Sequence, residues 1–197
     1  MFYAGEISTM LPAQDHKRLG DGDAGPNTGG MGAYCPAPLG TVALREEVTK
    51  QVLYPAVEAL SRMGCPFQGV LYAGLMVVKG IPYVLEFNAR MGDPETQVVL
   101  PLLKSDLIDV IEAVVEHRLD QFTVEWHDEY AVCVVMTSGG YPGVYENGKV
   151  VGLNPTDPIR VSYHDPFPGE SNGVMARDQL KLDWSHGHNM AVVNRIG

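Results

Sequence analysis

The sequence predicts an α+β chain, and three sets of residues carry that reading. Tyr83-Val84-Leu85-Glu86-Phe87-Asn88 is β-prone, and Lys79-Gly80 just before it supplies a turn, so it forms a hairpin with the apolar run 69–78. Residues 41–63 and 105–116 place apolar side chains at helical spacing. A third β-prone run, Tyr130 to Thr137, follows an acidic connector at 120–129.

Taken in order, Tyr3 to Leu11 is compatible with a strand. Six glycines between Gly20 and Gly32 then argue against helix or regular strand. Thr41 can cap a helix, Pro55 is expected to split it in two, and Gly64 ends it. The run Gly69 to Val78 has the apolar character of a strand buried on both faces. After Pro94 a short helix runs toward Leu100, and Ser105 or Asp106 caps a second one. That second helix should turn Leu107, Ile108, Ile111, Val114 and Val115 inward and Asp109, Glu112 and Glu116 outward. Ser138 to Gly143 is a turn cluster, followed by short strands to Leu153 and a polar tail. Asp183, His186 and His188 in that tail lack metal-site spacing and read as incidental.

Composition narrows the function classes. A chain of 197 residues buries about 70% of its unfolded surface, enough for one domain or two small ones. A net charge of −10 argues against nucleic-acid or anionic-membrane partners, which need a basic face. No apolar run approaches a membrane span, and nothing at the N-terminus reads as a secretory signal. Cys35, Cys65 and Cys133 are odd in number and far apart, so reduced thiols in a cytoplasmic protein are expected.

Two stretches carry chemistry. Strand alternation puts Glu86 and Asn88 on one face, with Arg90 joining them, and sends Leu85 and Phe87 to an apolar face expected to pack in a core. A carboxylate and an amide oxygen suit Mg²⁺ or Mn²⁺, which takes its other ligands from water and substrate phosphates. The second stretch is Asn27-Thr28-Gly29-Gly30-Met31-Gly32, with Lys17 and Arg18 near it. Such a loop can turn successive N–H groups toward an anion.

Glu86-x-Asn88-x-Arg90 resembles the metal-binding signature of ATP-grasp enzymes. The longer run Arg90 to Gln97 and the loop Gln14 to Tyr34 resemble those of the glycinamide ribonucleotide synthetase (phosphoribosylamine–glycine ligase) family, with Met91 where Leu or Phe is usual. Val134 to Gly143 is similar to the start of that family's small C-terminal domain. The resemblance covers roughly residues 7–153. It implies an ATP-grasp catalytic part (antiparallel sheet with helices) over 1–120 and part of a β-rich C-terminal domain over 121–197.

It also implies a fragment, with the family's N-terminal domain and adenine-covering lid preceding Met1. The implied reaction joins glycine to 5-phosphoribosylamine with ATP and Mg²⁺ or Mn²⁺. Glu86 and Asn88 would hold the metal, Arg90 would act in catalysis, and Lys17 and Arg18 would lie at the cofactor. Gly29, Gly30, Met31, Gly32, Gly92, Asp93, Pro94 and Glu95 would bind substrate or phosphate. The competing expectation is a non-catalytic ATP-grasp remnant or nucleotide-binding module.

Overall fold

The structure, a computed structural model, describes residues 2–3, 5–145, 160–164, 173–174 and 189–196. Its strands are β1 (Phe2–Tyr3), β2 (Ile7–Ser8), β3 (Gln14–Asp15), β4 (Arg18–Gly20), β5 (Ala24–Asn27), β6 (Gly32–Cys35) and β7 (Gly69–Val70). They continue as β8 (Tyr72–Val78), β9 (Ile81–Asn88), β10 (Tyr130–Met136), β11 (Arg160–His164), β12 (Gly173–Val174) and β13 (Asn189–Ile196). The helices are α1 (Val42–Val48), α2 (Tyr54–Arg62), α3 (Thr96–Val99) and α4 (Leu107–Val115). All named strand pairs are antiparallel, the α+β architecture expected.

The chain forms two compact units that interleave along the sequence, whereas the domains expected from the sequence are contiguous. The first holds Met1–Ala13, Pro36–Gly92 and Leu102–Asp128; the second holds Gln14–Cys35, Asp93–Pro101 and Glu129–Gly197.

In the first unit, the Thr41 hydroxyl caps α1 by accepting the Leu44 N–H at 3.2 Å. The break expected at Pro55 comes earlier, as a π-helical turn at Thr49–Leu53. Pro55 itself sits in the first turn of α2, directly after that π-helical turn. The Asp106 carboxylate caps α4, accepting the Ile108 N–H at 2.7 Å. Helix α4 buries Val110, Ala113 and Val114, which pack with Leu119 against Val70, Met91 and Phe122. The inward set read from sequence is thus rotated: Ile108, Ile111 and Val115 are exposed. Strand β1 joins β2 to β7 in a small sheet.

The stretch 69–78 is two strands rather than one, and β8 is partly exposed instead of doubly buried. It pairs with β9 through a two-residue turn at Lys79 (φ +52°) and Gly80 (φ +82°). A register shift opposite Gly74 and Leu75 leaves Leu85 as the extra residue of β9. The apolar face expected to be buried is open here: Leu85 is 64% and Phe87 42% exposed.

The second unit is built on a sheet of order β12-β11-β13-β10-β6-β3. Strand β10 alternates strictly, burying Ala131, Cys133 and Val135 while Tyr130, Val132, Val134 and Met136 face outward. Helix α3 packs on β6 and β10, with Val98 and Val99 buried beside Ala33 and Cys35. Contrary to the irregular loop expected, 18–27 is a short hairpin of β4 and β5. The stretch read as a polar tail contributes β11, β12 and β13, the last paired with β10 from Tyr130↔Ile196 to Met136↔Met190. The strands expected between Val144 and Leu153, and Asp183, His186 and His188, fall largely or wholly outside the described residues.

Candidate active site

Strand β9 carries the first group. Asn88 pairs with Tyr72 and Glu86 with Gly74, on the regular side of the register shift, so the two side chains share a face. Gly74 leaves room for Glu86: a Cβ there would lie 3.0 Å from the Glu86 Cγ. Arg90 joins that face, its guanidinium 5.9 Å from the Tyr72 ring centroid and its Nη1 donating to the Met91 carbonyl at 2.8 Å. The Asn88 Nδ2 is buried without a hydrogen-bond partner among the described residues. The two ends of an amide are interchangeable by rotation, so this side chain can turn its oxygen to a cation. A carboxylate and an uncommitted amide fit a hard divalent cation that shares its shell with phosphate oxygens. Among the described residues no cluster of three His, Cys, Asp or Glu side chains offers an all-protein cage.

The second unit holds the glycine-rich loop and the segment from Asp93 to Glu95. The Asp93–Pro94 peptide is cis, and the Pro94 ring packs on Gly30. Gly30 has φ +137°, and a Cβ there would overlap that ring and lie 2.8 Å from Asp15 Oδ1. Asp93 accepts from the Gln97 side chain at 2.9 Å, and Glu95 is buried.

The loop amides are not the open anion cradle that the sequence suggests. Gly29 N–H donates to the Tyr141 hydroxyl at 3.1 Å, Gly30 N–H to Thr28 Oγ1 at 3.0 Å, and Met31 N–H to the His16 carbonyl at 2.8 Å. Gly32 serves close packing instead, since a Cβ would lie 2.5 Å from the Cys133 carbonyl oxygen.

The two cations beside the loop also hold backbone. Lys17 Nζ lies 2.6 Å from Asp15 Oδ2 and donates to the Gly29 carbonyl at 3.0 Å. Arg18 donates to the Gly25 carbonyl at 2.7 Å across the β4–β5 hairpin.

Burial sets the electrostatics of the two sheet cysteines. It pushes the Cys35 thiol up to about 12. Burial, then the charges of Asp93 and Asp15, does the same to Cys133. Both are neutral thiols and packing groups, not nucleophiles.

Sequence reasoning passed over Asp15, Gln97 and Tyr141. The Asp15 side chain is 8% exposed, and its Oδ1 has no hydrogen-bond donor among the described residues. Its place beside Lys17 in Gln14-Asp15-His16-Lys17 was the available signal. Tyr141 reaches Gly29 from 112 positions away, which no local pattern reveals.

A carboxylate and an amide on one face of a hairpin strand, a glycine-rich loop and an aspartate–proline turn are the kind of equipment that ATP-grasp catalytic domains carry. Residues 1–96 match the family described as phosphoribosylglycinamide synthetase, ATP-grasp (A) domain. That stretch of the chain belongs to this family. A phosphoribosylamine–glycine ligase of Synechocystis is 57% identical over 147 residues, covering 74% of this chain and 35% of the relative. One from Chlorobaculum tepidum is 53% identical over 147 residues, covering 75% of this chain and 35% of its own length. A crystal structure of the Thermotoga maritima phosphoribosylamine–glycine ligase overlays with TM-score 0.68 at 33% identity, covering 95% of this chain and 44% of that one. The chain thus spans about a third of the length of these curated relatives. No helix among the described residues is long and apolar enough to cross a membrane.

Proposed function

We propose that this chain supplies part of the catalytic apparatus for ATP-dependent ligation of glycine to 5-phosphoribosylamine, giving glycinamide ribonucleotide in purine biosynthesis. The shared face of Glu86, Asn88 and Arg90 on the β9 strand and its end carries the reading. Relatives that match most of this chain bear the name of that ligase.

In this reading Glu86 and Asn88 hold Mg²⁺ or Mn²⁺. A divalent cation there would neutralise nucleotide phosphate charge and make the terminal phosphoryl group a better electrophile. Arg90, pre-oriented by Tyr72 and the Met91 carbonyl, balances negative charge that grows on the transferred phosphoryl oxygens. Transfer of the terminal phosphoryl group of ATP to the glycine carboxylate gives glycyl phosphate and ADP; the ribosylamine nitrogen attacks its carbonyl carbon, loses a proton, and inorganic phosphate leaves. Gly29, Gly30, Met31 and Gly32 border the substrate. Gly92, Asp93, Pro94 and Glu95 take part in binding substrate or phosphate. Lys17 and Arg18 keep the loop folded and add positive charge for the cofactor phosphates.

The reading is tested by a chimera in which residues of this chain replace the matching 147 of the Synechocystis relative. It should form glycinamide ribonucleotide from ATP, glycine and phosphoribosylamine, and lose that activity with Glu86→Gln. Phosphate release by the 197-residue chain alone should stay far below 1 per second, because the chemistry needs the nucleotide enclosed and held in line. A folded chimera that makes no product, or one indifferent to Glu86→Gln, defeats the proposal.

A further inference from the structure

We infer that Tyr141 is a substrate-binding residue, giving its hydroxyl hydrogen to an oxyanion oxygen of a small substrate at Gly29. The inference rests on the ligase reading for the statement that the loop borders substrate. Its geometry lies wholly within the second unit.

The Gly29 residue is gripped at both ends. Its carbonyl accepts from Lys17 Nζ at 3.0 Å, and that ammonium is tied to Asp15 at 2.6 Å. Its N–H donates to the Tyr141 hydroxyl at 3.1 Å. The neighbouring amides find partners locally, in the Thr28 side chain and the His16 carbonyl. Of residues 29–31, only Gly29 depends on a side chain brought from far along the sequence.

The direction of that bond matters. A tyrosine hydroxyl has one hydrogen to give and lone pairs to receive with. Tyr141 receives from Gly29, so its own hydrogen is still available. No hydrogen bond given by this hydroxyl is formed among the described residues. The phenol is presented by a tight turn, with Tyr141 N–H on the Ser138 carbonyl at 3.2 Å and Gly143 N–H on the Gly140 carbonyl at 2.8 Å. Its ring leans on Tyr145, with centroids 6.0 Å apart. An oriented O–H that still has its hydrogen to give suits a carboxylate or phosphate oxygen, which can only accept.

The chain as it stands can be titrated with ribose 5-phosphate in one arm and glycine in another. Tyr141→Phe should weaken one of the two about tenfold, the usual effect of losing a hydrogen bond to a charged group. The arm affected tells phosphate from carboxylate. Mn²⁺·ATP binding should stay within about twofold, since the substitution leaves β9 untouched. Tyr145→Leu, which disturbs the ring packing and spares the hydroxyl, should bind both probes nearly as the parent does. Unchanged binding in Tyr141→Phe, no binding of either probe by the parent chain, or an equal loss in Tyr145→Leu would overturn the inference. The ligase reading is judged apart from this, by the product of the chimera.

Discussion

Lys17 and Asp15 stand in an unequal relationship: the ammonium is half-exposed, while the carboxylate it touches at 2.6 Å is 8% exposed. Removing the exposed partner strands a buried charge, whereas removing the buried one does not. Lys17→Met should therefore cost about 1–3 kcal/mol, and Asp15→Asn distinctly less. Urea unfolding of the two variants measures the difference. A larger loss for Asp15→Asn would mean that the carboxylate is satisfied by something other than Lys17.

Glu86 supplies the one carboxylate of β9, and the proposed metal site rests on it. In the presence of ATP, Glu86→Gln should lower Mn²⁺ affinity about tenfold or more, because a neutral amide replaces the charged ligand. Electron paramagnetic resonance of free Mn²⁺ reads this directly. Affinity equal to that of the parent chain would remove Glu86 from the metal site.

Gly30 combines φ +137° with contacts to the Pro94 ring and Asp15. Gly30→Val should destabilise the chain by more than about 2 kcal/mol, adding backbone strain to overpacking. The mutation thus tests folding before it tests binding, and thermal unfolding is the measurement. A loss under about 1 kcal/mol would show that the loop gives way easily.

The buried thiols make an alkaline prediction. Cys35 and Cys133 are held at about 12 against an ordinary 9.0. Below pH 9 both states keep the protons, and stability is insensitive to them. From pH 9 to 12 the unfolded chain releases protons that the native chain retains, so stability should fall as pH rises through that window. At pH 8 a thiol reagent should label the exposed Cys65 readily and the two sheet cysteines only after unfolding. Equal labelling of all three in the native chain would contradict the burial.

What was legible in the sequence was local. The Thr41 and Asp106 caps, the Lys79-Gly80 turn and the shared face of Glu86 and Asn88 each depend on residues a few positions apart. The pairing of β6 with β10, and the meeting of Gly29 with Tyr141, join residues about a hundred positions apart and leave no periodic trace. The failures at Leu85 and Ile108 have another cause. An apolar pattern states that a face is suited to burial, not that the chain in hand covers it.

Strand β13 lies between β10 and β11, so one edge of β10 is completed by residues 189–196, far beyond Met136. While the ribosome is still adding the intervening residues, that edge presents unpaired backbone to the cell. At translation rates of roughly 5–20 residues per second the wait lasts several seconds, long compared with the microseconds in which a hairpin such as β8–β9 closes. Premature termination anywhere in that interval would release a polypeptide whose central sheet is permanently half-zipped, a natural client for holdase chaperones.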